Sequence, residues 1–181
     1  MDTRLRPIQQ FIYGQAFADG LKATLAILIP ALTGLYTNHL QLGLTVALGS
    51  MCASLTDAPG PIKHKKNGIL LATLFAFLTA LLTALAQHAF WSMLLAVTLV
   101  TFFFSMFMVY GNRASAVGNT AILILILTMD KPVASNGILL HAGLIAAGGL
   151  FYFILSLFFY TIQPYKIAQR ALGECIGAVA D

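Results

Sequence analysis

The sequence is poor in charged residues and in cysteine. Only 9% of its 181 residues are charged, against about a quarter in a typical soluble domain. The two cysteines, Cys52 and Cys175, offer no metal-ligand spacing and no expected disulfide. The ten basic residues are scattered between apolar runs, without a basic stripe that interleaves with aromatic side chains. These scarcities exclude a soluble domain, a disulfide scaffold and a nucleic-acid partner.

Sequence motifs for enzymatic chemistry are also missing. The chain has no nucleotide-binding loop, no paired-histidine zinc motif, no nucleophile elbow and no pair of carboxylates on one span. His39, His88 and His141 fall near the starts of alternate apolar runs, on separate hairpins, and we interpret them as incidental rather than as a metal site. The N-terminus has no short apolar core followed by a cleavage site, which predicts no removable signal peptide. We therefore expect neither an enzyme nor a cofactor or metal.

Apolar residues dominate what the sequence does contain. They make up 59% of the chain, and the mean hydropathy is +0.87. Apolar runs of about 18 residues or more, enough to cross a bilayer core of about 30 Å, recur along it. We predict an all-α, polytopic membrane protein with a six-helix transmembrane bundle over residues 1–163 and the start of a cytoplasmic helical region over residues 164–181. The predicted spans are 15–35, 40–55, 67–86, 90–109, 114–129 and 138–160.

The distribution of basic residues predicts the orientation of the bundle. Eight of the ten fall at the N-terminus, in the second and fourth loops and in the tail, whereas the alternate loops carry only Lys131. By the positive-inside rule, both termini are predicted to be cytoplasmic. The segment KHKK at residues 63–66 is then a cytoplasmic anchor, and Pro59-Gly60-Pro61 separates the second and third spans.

Three predicted spans carry a polar face toward their cytoplasmic ends. Span one places Asp19 and Lys22 opposite a leucine stripe, and the small-residue face of span two continues to Asp57. Span five begins with polar residues before its apolar run. Because charge and amide groups at membrane depth are expensive, we expect these faces to look inward and to form a substrate or ion path. The candidate residues are Asp19, Lys22, Ser54, Asp57, Asn112, Arg113, Ser115 and Asn119.

Each candidate also has a purely structural explanation. Asp19 and Lys22 are three residues apart and are spaced to pair with each other, Asp57 is suited to capping a turn, and Arg113 is suited to anchoring the topology. The sharper hypothesis is that Asp57 and Arg113 form one cytoplasmic-side site, since opposite charges at this depth should find one another. The phenylalanines at 102–104, 107, 151 and 153 either face lipid and neighbouring helices or form a wall for an aromatic substrate.

Two motifs carry a resemblance to a known family. LGSMCASLTDAPGP at residues 48–61 and YGNRASAVGNTAILIL at residues 110–125 resemble the fusaric-acid-resistance (FUSC) family, in its YccS-like inner-membrane branch. The tail QPYKIAQRALGECIGAVAD is similar to the start of that family's cytoplasmic region. The resemblance implies a six-helix block of an efflux-type transporter, multi-pass in the bacterial inner membrane. It also implies small organic anions such as aromatic carboxylates as substrates.

Three functions remain open from the sequence. An exporter of organic anions would use Lys22 and Arg113 to attract the anion and Asp19 or Asp57 to carry a coupling proton. A passive organic-anion channel would need no proton, and a scaffold would only hold a cytoplasmic domain in the membrane. The partners expected are the anion, the lipid bilayer, and either further copies of the chain or a second transmembrane block.

Overall fold

Six α-helices make up most of the structure. A computed structural model describes residues 15–57, 62–129 and 137–162, and these ranges contain helices and turns but no strand. A short 3-10 helix, Met106–Tyr110, follows the fourth α-helix. The prediction of an all-α fold is confirmed for this part of the chain. The α-helices are α1 (Gln15–Tyr36), α2 (Leu40–Ser54), α3 (Ile62–Ala86), α4 (Phe90–Ser105), α5 (Asn112–Met129) and α6 (Ile138–Ile162).

The largest difference from the predicted bounds lies at the start of α3. The third span was expected from residue 67, but the helix begins at Ile62 and includes the KHKK segment. Hydropathy marks only where the apolar run begins. The helix itself begins earlier, because lysine is a good helix former and allows the helix to include the charged segment. As a result Lys65 belongs to the first turns of a helix and not to a loop.

Four of the helices are long and apolar enough to cross a membrane. They contain the segments Lys65–Ala86, Phe90–Tyr110, Asn112–Met129 and Ile138–Phe159. The apolar helix α2 has 15 residues, about 22 Å at 1.5 Å per residue, which is shorter than a bilayer core. The chain is therefore a membrane-embedded helical protein. That the chain has six complete spans and cytoplasmic termini remains a prediction. Three predicted features lie outside the described residues: the domain boundary, the Pro59-Gly60-Pro61 segment and Lys131.

The helices pack in an order that differs from their order in the sequence. Helix α2 packs against α1 on one side and α6 on the other, and α6 packs against α3, which in turn packs against α5. Helix α4 contacts α5 and α3 at the edge of this arrangement, and Phe104 is its one buried residue. Helices α2 and α6 thus lie at the centre, between α1 and α3.

Small residues allow these helix backbones to touch. A Cβ added to Gly34 of α1 would lie 2.6 Å from the Cα of Gly43 in α2. A Cβ on Gly148 of α6 would collide with the backbone oxygen of Val46 in α2. Only glycine fits at these crossings, which confirms the interpretation of the small-residue face of α2 as a close-packing surface.

The two faces of α1 are divided as predicted. Lys22 and Ala26 are buried, at 3% and 0% exposure, and Pro30 is buried with them. The leucine stripe on the opposite face of α1 is exposed, except for the half-buried Leu25. The face of α1 that packs into the bundle therefore carries a lysine. The exposed leucines are Leu21, Leu28, Leu32 and Leu35.

A buried charge cluster as candidate functional site

Side chains from four parts of the chain meet at one end of the bundle. The first turns of α1, the turn after α2, the start of α3 and the second half of α6 each contribute. We call this group the charge cluster; its members are Asp19, Lys22, Asp57, Lys65, Tyr152 and Ser156.

Lys22 is the central cation of the charge cluster. Its side chain is 4% exposed, and its ammonium donates hydrogen bonds to two carboxylates. The Nζ lies 2.6 Å from Asp57 Oδ2 and 2.9 Å from Asp19 Oδ1. It also lies 5.9 Å from the centre of the Tyr152 ring, within the range of a cation–π interaction. A buried lysine is costly unless paired, and this one is paired twice.

Asp57 is the most heavily contacted acceptor. Its side chain is 3% exposed. Besides Lys22, Oδ2 accepts a hydrogen bond of 2.6 Å from the Tyr152 hydroxyl and a longer one of 3.4 Å from Ser156 Oγ. Lys65 Nζ lies 2.6 Å from Oδ1. We describe this contact as an ion pair.

The turn after α2 explains how Asp57 reaches the interior. The Asp57 amide donates to the Ser54 carbonyl at 3.1 Å, and the Thr56 amide donates to the Ala53 carbonyl at 3.2 Å. The Thr56 hydroxyl also donates to Ala53, at 2.8 Å. These bonds wind the chain for one more turn, so that Asp57 extends the buried face of α2. The predicted continuation of that face is confirmed.

The surroundings of Asp57 keep its carboxyl ionised. Burial raises its pKa, but the opposing effects of Lys22, then Lys65 and Tyr152, are larger in sum and hold the pKa below its usual range. The formal charges in the charge cluster therefore balance, with two lysines facing two aspartates.

The structure brings together three of the residues predicted from sequence: Asp19, Lys22 and Asp57. The expected Asp19–Lys22 pair is present, and Lys22 binds Asp57 as well. Ser54 instead donates to the Met51 carbonyl of its own helix, at 2.6 Å.

The other four candidates lie in the first half of α5. Asn112 and Asn119 are exposed on the single chain, and Arg113 and Ser115 are half-buried. The buried face of α5 is formed mainly by apolar and small residues, Gly118 and Ala121 among them, so the asparagine face does not look inward as expected. Within the described residues Asp57 contacts Lys22 and Lys65, and its predicted pairing with Arg113 stays a prediction.

Three members of the charge cluster were not among the sequence-based candidates. Lys65 had been interpreted as a topology anchor only, and Tyr152 was hidden in an aromatic run between Phe151 and Phe153. Tyr152 and Ser156 are four residues apart and therefore share one face of α6. Two hydroxyls at this spacing within an apolar span were the available signal, because polar groups in spans usually seek partners.

Apolar helices that enclose an internally paired charge cluster are typical of membrane transport proteins, in which ionisable groups at membrane depth mark substrate and ion paths. A family model described as FUSC-like inner membrane protein yccS matches residues 69–181. This match spans more than half of the chain, which therefore belongs to the FUSC-like family of membrane transport-type proteins. Tyr152 and Ser156 lie inside the matched segment, and the other members of the charge cluster precede it. No curated protein and no solved structure matches the chain.

Proposed function

We propose that the chain is a transport module of the bacterial inner membrane that exports small organic anions, with Lys22 as the cation that binds the anion. The family supports the transport role. The observation that supports this site is that Lys22 is almost completely buried and shares its ammonium between two carboxylates. Carboxylic acids, aromatic ones included, are the proposed substrates.

The geometry around Lys22 favours a carboxylate ligand. Its ammonium has three donors and already holds two carboxylate oxygens at hydrogen-bond distance. A substrate carboxylate presents the same charge and the same acceptor geometry. It can therefore replace one protein carboxylate without leaving the lysine unpaired.

Apolar side chains next to the charge cluster suit the remainder of such a substrate. Ala26, Ala53 and Ile69 form a buried cluster together with Tyr152, and Phe153 packs against it. Small-molecule sites usually have apolar walls and a few polar groups, and these side chains, which now pack against one another, would supply such walls when they part. This arrangement favours a carboxylate attached to a hydrophobic or aromatic body.

The balanced charges support coupling to a proton. An entering anion adds one negative charge to a group in which Lys22 and Lys65 already neutralise Asp19 and Asp57. An uncompensated charge in a buried site costs several kcal/mol. Protonation of one aspartate removes this excess. We therefore propose that one proton is bound with each carboxylate anion.

A flux experiment tests the proposal. Purified protein in proteoliposomes is loaded with benzoate, and benzoate and proton movements are followed together with a pH-sensitive dye. Lys22→Gln should reduce benzoate flux at least tenfold, because the buried cation is lost. The matched control Lys66→Gln removes an exposed lysine beside the charge cluster and should retain flux within a factor of two.

The outcomes separate the alternatives. Benzoate flux that is lost in Lys22→Gln but moves no protons would indicate a passive anion channel. Absence of flux for benzoate and for a panel of other carboxylates, in a correctly folded wild-type protein, would favour a scaffold. Size-exclusion profiles and helical content of the variants exclude unfolding as the cause of lost flux.

The expected partners are the lipid bilayer and either further copies of the chain or a second transmembrane block. The exposed apolar surface of α4 is compatible with each of these neighbours. A single block of six helices offers thin walls for a substrate path, so we propose that the module works as a homo-oligomer or together with a second block.

A further inference from the structure

The two carboxylates bound to Lys22 are held very differently. The Asp57 side chain is 3% exposed and contacts four other residues, whereas the Asp19 side chain is 41% exposed. The interaction found for Asp19 is its bond of 2.9 Å to Lys22. One carboxylate is therefore enclosed by donors, and the other lies at the open side of the same ammonium.

We infer that Asp19 competes with the transported anion for Lys22. Asp19 binds Lys22 in the empty site and releases it when a substrate carboxylate binds, while Asp57 stays in place as a fixed counter-ion. This inference rests on the proposed function. It names the residue that yields to the substrate and the residue that does not.

The cost of releasing each carboxylate decides between them. If Asp57 left, the ammonium of Lys65 would lose its ion-pair partner and the buried hydroxyl of Tyr152 would lose its acceptor. Buried donors without partners are strongly unfavourable. If Asp19 left, its carboxylate would move into the surroundings to which it is already open, and Lys22 would keep Asp57 as a partner.

The placement of Asp19 makes its release simple. Asp19 and Lys22 lie three residues apart on the same helix, so they are neighbours on one face of α1. A change of the Asp19 side-chain rotamer is enough to break the pair, without movement of a helix. The donor that becomes available points to the partly exposed side of the charge cluster, from which a substrate must arrive.

A competitor inside the site lowers the apparent affinity for the substrate. Removing its charge should therefore tighten anion binding, which is the opposite of what loss of an ordinary binding residue does. Removing the Asp19 carboxylate also makes the net charge around Lys22 more positive. Because the pair is partly exposed, we expect a gain of roughly two- to fivefold in benzoate affinity for Asp19→Asn.

The experiment measures equilibrium binding of radiolabelled benzoate to the full chain in lipid nanodiscs, together with resistance to unfolding in mixed micelles. Asp19→Asn should bind benzoate more tightly than wild type and unfold at nearly the same denaturant concentration. Asp19→Glu keeps the competing charge and should bind as weakly as wild type. Asp57→Asn should unfold at clearly lower denaturant concentration, since it removes the negative charge paired with Lys22 and Lys65 and replaces one acceptor oxygen by an amide donor.

Each alternative result has a defined meaning. Unchanged or weaker benzoate binding in Asp19→Asn, with binding in wild type intact, would overturn the inference. Equal destabilisation by Asp19→Asn and Asp57→Asn would also overturn it, because the two carboxylates would then be held alike. If neither wild type nor Asp19→Asn binds benzoate, the proposed function is rejected for this probe, and the stability comparison still decides whether Asp57 alone is fixed.

Discussion

Removal of one hydroxyl, in Tyr152→Phe, measures how strongly the charge cluster holds the bundle together. Tyr152 is 1% exposed and lies on the central helix α6. Its hydroxyl donates a hydrogen bond of 2.6 Å to Oδ2 of Asp57, which lies in the turn that directly follows α2. The substitution keeps the ring and its packing, so the change in stability reports on this bond between α2 and α6.

The expected cost follows from the charge on the acceptor. A hydrogen bond to an ionised group contributes about 1.5–3 kcal/mol, roughly twice that of a neutral pair. Asp57 would keep the 2.6 Å bond from Lys22, which limits the loss. We therefore expect Tyr152→Phe to lower the free energy of unfolding by about 1.5–3 kcal/mol.

The assay is reversible unfolding in mixed micelles, followed by circular dichroism. Ser156→Ala removes a hydroxyl 3.4 Å from the same oxygen and should cost about 1 kcal/mol or less. Tyr36→Phe alters a tyrosine that is 90% exposed and serves as the matched control, with no expected change. A double-mutant cycle between Tyr152→Phe and Asp57→Ala isolates the coupling between the two side chains, because alanine leaves no acceptor at residue 57.

The reasoning would be refuted by a Tyr152→Phe protein as stable as Tyr36→Phe. Additivity of Tyr152→Phe and Asp57→Ala would contradict it as well, since each substitution removes a partner of the same hydrogen bond.

Two further predictions concern helix packing and pH. Gly148→Ala places a Cβ against the backbone of α2 and should destabilise the protein by about 1–3 kcal/mol, whereas Gly143→Ala, on the same helix with nothing within 4 Å, should be neutral or stabilising by up to about 1 kcal/mol in the same unfolding assay. Equal effects at the two glycines would argue against close contact between α2 and α6. Because the folded state lowers the pKa of Asp57, its contribution to stability is present above the unfolded-state pKa of about 4 and is lost as the pH falls through the lower folded-state pKa. The unfolding free energy of wild type should therefore fall more steeply below about pH 4 than that of Asp57→Asn, and parallel curves would contradict this assignment.

The sequence predicts the helices well because hydropathy and side-chain periodicity are local properties. The split of α1 into a leucine stripe and a face with Lys22 follows from the helical repeat alone, and so does the continuation of the α2 face to Asp57. The Asp19–Lys22 pair could be foreseen for the same reason, since its members are three residues apart on one helix.

The partners of Asp57 could not be derived in this way. Periodicity shows which face of a helix is polar, but it does not show which helices become neighbours. The structure packs α2 between α1 and α6, so that Asp57 meets Lys22 and Tyr152, while α5 packs mainly against α3. Lys65 was missed because its charge fitted the orientation rule, which explained the residue without requiring a partner.

The equal numbers of positive and negative groups in the charge cluster also bear on how transport responds to the membrane potential. An elementary charge that crosses a membrane potential of 100 mV gains or loses about 2.3 kcal/mol, roughly a fiftyfold bias in rate or equilibrium. If the charge cluster takes up an anion and a proton together, as proposed, it stays neutral, and its transport step would be electrically silent and generate no current. An anion that moves through the same bundle without a proton carries its charge through the field and is driven outward by a potential that is negative inside.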